Sequence, residues 1–195
     1  MKTRLAKYSD LPQLKTMFDK VVKNMDSYGV CIWNEYYPYE EFERDIERQQ
    51  LYLLMDEEVI VATFVLYEFK TTCLDCLTWQ ENTAKAMLLN RFGVNVDYLR
   101  QGMGVKALDE AKRIAKNQSA KYIRLTVVDS NTPAINLYKK YGFTKVDGIY
   151  EEYIPESNTT LYEYGFEIKL KGFDKWLKMW YIIANENKQT QYLKR

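Results

Sequence analysis

Two short stretches carry residue types whose spacing could do chemistry. The first is Asp97-Tyr98-Leu99-Arg100-Gln101-Gly102-Met103-Gly104, which runs on into Val105 and Lys106. Gly102 and Gly104 remove two side chains where a strand-like run turns into a helix-like one. Successive backbone N–H groups are then left pointing outward at a helix start. Such a turn is an anion site, because the N–H groups lack partners and the helix dipole adds partial positive charge. Arg100 and Lys106 add more, and no carboxylate lies between Asp97 and Asp109. A pyrophosphate is the natural ligand. The second stretch is Asn131-Thr132-Pro133-Ala134-Ile135-Asn136-Leu137-Tyr138-Lys139-Lys140-Tyr141-Gly142-Phe143. Its phenols at Tyr138 and Tyr141 share a helical face with Ala134 and Leu137, so Tyr138 is either a core side chain or a proton donor.

The elements that must position these residues follow from periodicity. Val94 and Val96 alternate with Asn95, as in a short half-buried strand, while Ala107, Leu108, Ala111, Ile114 and Ala115 recur at helical spacing. Lys121 to Val128 is strand-like. Asn131 and Thr132 are cap residues, Pro133 suits a first helical turn and Gly142 a helix stop. Gly102-x-Gly104-x-x-Ala107 also fits the dinucleotide fingerprint. That alternative is a Rossmann-type protein binding NAD or ATP. It expects an acidic residue about 20 positions on, and Asp129 comes later than that.

Together the two stretches resemble the GCN5-related N-acetyltransferase (GNAT) superfamily, whose members bind acetyl-CoA. In that family a strand leads into a [Gln/Arg]-x-x-Gly-x-[Gly/Ala] loop for the CoA pyrophosphate. An Asn-x-x-Ala-x-x-x-Tyr-x-x-x-Gly-Phe segment lines the thioester. Gly102 and Gly104 match the loop, and Asn131, Ala134, Tyr138, Gly142 and Phe143 match the second segment in register. Leu99 stands where the family has Gln or Arg, with Arg100 one place later. Those loop contacts are mostly backbone, so binding should survive the change. Val96 stands where many relatives have proline, and Asn90 where some carry His.

The resemblance implies an α/β fold (α+β, mixed sheet): a central, mostly antiparallel sheet flanked by helices, spanning residues 1–170. It implies acetyl-CoA as cosubstrate, CoA as product and no metal. The acceptor would be the primary amine of a small molecule or peptide, attacking directly. Backbone N–H groups of Val94 and Val96, with Asn95 between them, would hold the pantetheine arm and polarise the thioester carbonyl. Arg100, Gln101, Gly102, Met103, Gly104 and Val105 would bind pyrophosphate. Asn131 and Ala134 would border the pantetheine, and Tyr138 would donate a proton to the departing sulfur. Glu68 and Glu81 are candidate bases. A catalytically silent acyl-CoA-binding module is the alternative in a different class.

Bulk properties agree with one globular domain. The chain has 195 residues, 47% of them hydrophobic, and a formal net charge of +1 without long like-charge blocks. That charge argues against nucleic acid as a partner. The apolar run from Val59 to Tyr67 is far too short to span a bilayer, and no apolar leader follows Met1. A cytoplasmic protein without a membrane partner is expected. Cys31, Cys73 and Cys76 are few and odd in number, and there is no His, so neither a four-ligand zinc site nor a Ser-His-Asp nucleophile can be assembled in its usual form.

Along the chain, Thr3 to Ala6 reads as a strand. A helix follows with its buried face at Leu14, Met17, Phe18, Val21 and Val22. The aromatic loop from Tyr28 to Pro38 is either core packing or a cover over the acceptor. Tyr39 to Gln49 reads as a charged helix, and Leu51 to Met55 with Val59 to Phe69 as a hairpin. Thr71 to Glu81 reads as polar and irregular, Ala84 to Asn90 as a strand, and Gly93 as a bulge or close backbone approach. Thr144 to Ile154 and Leu161 to Leu170 read as a closing antiparallel pair. Residues 171–195 carry Phe173, Trp176, Leu177, Trp180 and Ile183 at amphipathic spacing. They read as an extra C-terminal helix that packs on its own domain, covers a partner subunit in a homodimer or touches a membrane surface, with packing expected first.

Overall fold

The computed structural model describes residues 1–34, 36–70, 74–155 and 158–170. The extra C-terminal helix expected over 171–195 lies outside the described residues, as does Cys73.

The first strand, β1 (Lys2–Leu5), leads into helix α1 (Leu11–Asp26), whose first turn holds Pro12. Leu14, Met17, Phe18, Val21 and Met25 recur on one side of α1 and are buried, which is the stripe a helix needs in order to lie on a sheet. Helix α2 (Tyr39–Glu47) follows the aromatic loop and buries Phe42, Asp45 and Ile46. Strands β2 (Leu51–Asp56) and β3 (Val59–Glu68) form the expected hairpin, and β4 (Ala86–Val94) pairs antiparallel with β3. Helix α3 (Met103–Asn117), β5 (Tyr122–Val128) and helix α4 (Thr132–Tyr141) come next. The short β6 (Thr144–Lys145), then β7 (Tyr150–Ile154) and β8 (Thr159–Lys169), complete the sheet.

The strand order is β1-β2-β3-β4-β5-β8-β6, with β7 also paired to β8. All pairings are antiparallel except β4 with β5. One parallel pair, bridged by α3, is not the doubly wound arrangement that a dinucleotide-binding protein requires. Residues 60–66 of β3 are buried without alternation because helices cover both faces of the sheet. On one face α1 and α2 pack against Leu51, Leu53, Ile60 and Val65; on the other, α3 and α4 pack against Ala62, Phe64, Leu89 and Phe166. Full burial of a side chain such as Phe64 is worth roughly 1.5–3 kcal/mol.

Three expectations are corrected. The strand ends at Val94, and Val96 opens a single 3-10 turn (Val96–Tyr98). Asn95 causes the break: its side chain donates to the Ile60 carbonyl at 2.9 Å and accepts from the Asp97 N–H at 3.1 Å. The single strand expected from Thr144 to Ile154 is divided into β6 and β7 around Gly148. That residue has φ of 100°, and a Cβ there would lie 2.1 Å from the Cys76 carbonyl oxygen. The segment expected to be polar before β4 is irregular over residues 74–81 but packs Leu74, Leu77 and Trp79 into a small apolar cluster with Val146.

Candidate active site

The site begins with a defect in the sheet. β4 and β5 pair over only three residues, Ala86–Leu88 against Tyr122–Arg124, and then part. The parting has a local cause. Opposite β3 the register shifts between Thr63 and Val65, so Arg91 and Phe92 together face Phe64. This is a β-bulge, and it bends the strand that carries it. Arg91 adopts a left-handed backbone, φ 45°, which is costly for a residue with a side chain. Its guanidinium grips Asp45 of α2 through two bonds of 2.7 Å, with only 10% and 2% of the two side chains exposed. Gly93 then provides the close approach: a Cβ there would meet the Phe18 ring at 2.9 Å.

Beyond the bulge, the amide of Asn95 bonds back to Val61 at 2.8 Å while Val94 faces Ala62. Val94 is therefore in a non-hydrogen-bonded pair. Its own N–H and carbonyl point away from β3, into the gap left by β5. Val96 does not continue this row; it packs beside the α1 cluster. The Asn95 side chain is held inside the fold by Ile60 and Asp97.

A cavity of about 770 Å³ fills the gap and reaches under the aromatic loop. Val94, Leu99, Asn131, Ala134 and Tyr138 line it, together with Trp33, Tyr37, Glu152 and Glu163. The aromatic loop packs on the core as one reading of it expects. Trp33 packs on Phe18 with ring centroids 5.2 Å apart, and the loop also walls the cavity.

At the mouth, Gly102 is the left-handed N-cap of α3, φ 78°. The N–H groups of Met103, Gly104 and Val105 belong to the first turn and have no acceptor within the helix. Lys106 is the first to close on the Gly102 carbonyl, at 3.1 Å. A Cβ on Gly104 would meet Leu137 at 3.1 Å and Val94 at 3.7 Å, so this glycine lets α3 approach α4 and β4. Met103 is buried in the core, whereas Arg100, Gln101 and Val105 are exposed. Gln101 donates to the Asp97 carbonyl at 3.2 Å, and the Asp97 carboxylate is paired with Lys20 at 2.6 Å. This is a positive, donor-rich helix start.

Asn131 caps α4 by accepting from the Ala134 N–H at 3.3 Å, which uses its carbonyl oxygen, and the residue also lines the cavity. Tyr138 is 6% exposed and lies against Phe92, Phe143 and Phe166 at 6.2, 5.7 and 6.4 Å. Its hydroxyl makes no hydrogen bond among the described residues. Burial alone pushes this phenol well above its ordinary pKa, so it stays protonated. An unpartnered hydroxyl on a buried ring that lines a cavity fits a ligand atom that accepts a proton.

The two carboxylates singled out as bases are elsewhere. Glu68 ends β3 opposite Met87, at the closed end of the strand pair, with 62% of its side chain exposed and Lys85 at 3.6 Å. Glu81 bonds Tyr122 at 2.8 Å and Lys169 at 2.6 Å. Neither lines the cavity. Glu152 and Glu163 do, and sequence reading missed them because nothing local separates them from ordinary strand residues. The available signal was period two: Tyr150, Glu152 and Ile154 on β7, and Thr159, Leu161 and Glu163 on β8, all face the cavity. Burial, with the nearby Glu152 charge, holds the Glu163 carboxyl above its ordinary range; the Thr126 hydroxyl pulls the other way. Burial likewise raises the Tyr37 phenol, against the Arg91 charge. Among the described residues no cluster of three or more His, Cys, Asp or Glu side chains could hold a metal ion.

Comparison with known proteins agrees with this geometry. The model of the acetyltransferase (GNAT) family matches residues 18–143. A GNAT-family acetyltransferase from Streptococcus agalactiae superposes with a TM-score of 0.73 at 13% identity, over 88% of this chain and 96% of that one. One from Listeria monocytogenes gives 0.66 at 17% identity, over 87% and 94%. The ribosomal-protein-S18-alanine N-acetyltransferase of Escherichia coli gives 0.61 at 17% identity, over 89% and 96%. At these identities the superpositions speak for the fold. Comparison with curated protein sequences returned no match. With its parted strands, its glycine-capped helix start and a family model covering most of the domain, this chain belongs to the GNAT acetyltransferase family and is an N-acetyltransferase.

Proposed function

We propose that the protein uses acetyl-CoA to acetylate the primary amine of a small molecule or peptide, by direct attack of the amine on the thioester. One observation carries this reading. The strands part beside the cavity that the buried Tyr138 side chain lines with an unpartnered hydroxyl. Acetyl-CoA supplies the activated acetyl group. The N–H groups of Met103, Gly104 and Val105, with the Arg100 and Lys106 charges, receive the pyrophosphate. The Asn131 NH2 and the Ala134 surface border the pantetheine arm. The Val94 N–H donates to the thioester carbonyl, and its fixed direction makes that donor effective as charge develops on the oxygen. Tyr138 gives its proton to the sulfur as the C–S bond breaks. Leu99, 39% exposed at the cavity edge, takes the place of a polar loop residue without removing any backbone donor.

Glu68 and Glu81 have no role in this scheme. The setting is cytoplasmic; no helix among the described residues is long and apolar enough to cross a membrane. A homodimer is the assembly this reading allows for. The test is mass detection of free CoA when the protein is mixed with acetyl-CoA and pooled amines. Amine-dependent release is expected. Binding of acetyl-CoA without release under any amine would favour a silent binding module.

A further inference from the structure

The acceptor end of the cavity has its own chemistry. Among the described residues that line the cavity, only Arg91, Glu152 and Glu163 are charged. The Arg91 charge is already matched by both oxygens of Asp45, so the remaining wall is negative. Glu152 and Glu163 are diagonal neighbours on the inward face of the β7–β8 ribbon, because Tyr150 pairs with Glu163 and Glu152 with Leu161. The groups that face Glu163 are Glu152 from β7, Thr126 from β5 and Tyr37 from the aromatic loop, with Arg91 of β4 facing Tyr37. None of these is a free cation. Two half-buried carboxylates that share a cavity wall without a cation of their own repel each other until something positive joins them. A second feature shows that this cavity is built to meet a ligand: the Tyr138 side chain, more than nine-tenths buried, lines it with a hydroxyl that has no hydrogen-bond partner among the described residues.

We propose that Glu163 is the general base of the reaction and Glu152 a specificity residue. The acceptor would then be a small amine carrying a second cationic group and no carboxylate. This deepens the acetyl-transfer reading and rests on it. Glu163 takes one proton from the incoming ammonium and becomes the neutral acid. The freed nitrogen lone pair forms the C–N bond while the C–S bond breaks. The sulfur receives the Tyr138 proton. The nitrogen loses its second proton as the amide forms, and that proton restores Tyr138 through solvent. Glu163 then releases its proton to bulk water, so one ammonium and one thioester give one amide, one thiol and one proton. Glu152 meanwhile pairs with the distal cation. The burial that raises the Glu163 carboxyl suits it to this task, since a more basic carboxylate removes a proton more effectively.

The test compares putrescine, n-butylamine and γ-aminobutyrate, which share a chain length and differ at the distal end. Each is titrated calorimetrically into the protein with CoA present, and each is assayed for acetyl transfer. Wild type should favour putrescine over n-butylamine and reject γ-aminobutyrate. Glu152→Gln should weaken putrescine binding about tenfold and leave n-butylamine nearly unchanged. Glu163→Gln should lower kcat about 10²-fold. It should also abolish the acid limb of the wild-type pH–rate profile, which lies above the usual carboxylate range. Raising the pH until the amine is neutral should restore part of the rate. Equal handling of putrescine and γ-aminobutyrate would overturn the proposal. So would an unchanged pH profile in Glu163→Gln, or failure of all three amines in a protein that still binds acetyl-CoA. Failure to bind acetyl-CoA would instead overturn the acetyl-transfer reading beneath it.

Discussion

At the closed end of the β4–β5 pair, Arg124 of β5 reaches Glu167 of β8 at 3.2 Å, with 0% and 2% of the two side chains exposed. Its guanidinium lies 5.0 Å from the ring centres of Phe69 and Trp79 and bonds the Glu81 carbonyl at 2.9 Å. At the open end, Arg91 of β4 holds Asp45 of α2 by two bonds of 2.7 Å. The two pairs use the same chemistry on different backbones. Arg124 projects from a regular strand and fastens β5, β8 and the loop over residues 74–81. Arg91 projects from a left-handed bulge and secures the distortion that drives β4 away from β5. A buried ion pair contributes little net stability because desolvation offsets its attraction. What it can do is fix which backbone arrangement is adopted. One pair here fixes closure and the other fixes an opening, and the site lies in the opening.

The largest effects should come from breaking either pair. Glu167→Ala and Asp45→Ala each leave a buried guanidinium uncompensated and should cost about 3–5 kcal/mol of unfolding free energy. Denaturant midpoints would measure this. The comparison sharpens when acetyl-CoA affinity is measured under conditions where both variants remain folded. Glu167→Ala should bind like wild type, and Asp45→Ala should bind more weakly. Equal affinity in both would break the claim that Arg91 shapes the gap.

Tyr138→Phe comes next. A lost proton donor should lower kcat about 10²-fold, close to 2.7 kcal/mol. The hydroxyl has no partner to lose, so the unfolding free energy should move by less than about 0.5 kcal/mol. Asn131 can be dissected by two changes. Asn131→Ala removes the cap and should cost about 1 kcal/mol of stability. Asn131→Asp keeps the cap and removes the NH2 donors, so stability should hold while acetyl-CoA affinity falls. The smallest effect belongs to the closed end: Glu68→Gln, exposed and outside the cavity, should leave the pH–rate profile unchanged and shift stability by less than about 0.5 kcal/mol.

The same contrast explains what the sequence could disclose. Helical stripes such as Leu14, Met17, Phe18 and Val21, and the capped glycine turn at Gly102, are written within one or two turns of chain. The Asn131-to-Phe143 segment is equally local, so Tyr138 could be singled out. The break at Asn95 was missed because an Asx side chain turning the chain there competes with a β-alternating pattern that looks regular. The carboxylates were missed for a different reason. Glu163 becomes distinctive only when β7 pairs with β8 and β8 with β5 in one register. Arg91 and Asp45 stand 46 positions apart and meet only in the folded chain. Glu68 and Glu81 looked plausible by position and proved to be surface partners of Lys85 and Lys169.

The central claim is that the opening between β4 and β5 is an acetyl-CoA site. Calorimetric titration of the intact protein with acetyl-CoA, with NAD and ATP as controls, tests it most directly. The account predicts a single saturable site for acetyl-CoA and no comparable heat from either nucleotide. No acetyl-CoA binding, or equal binding of NAD or ATP, would contradict it.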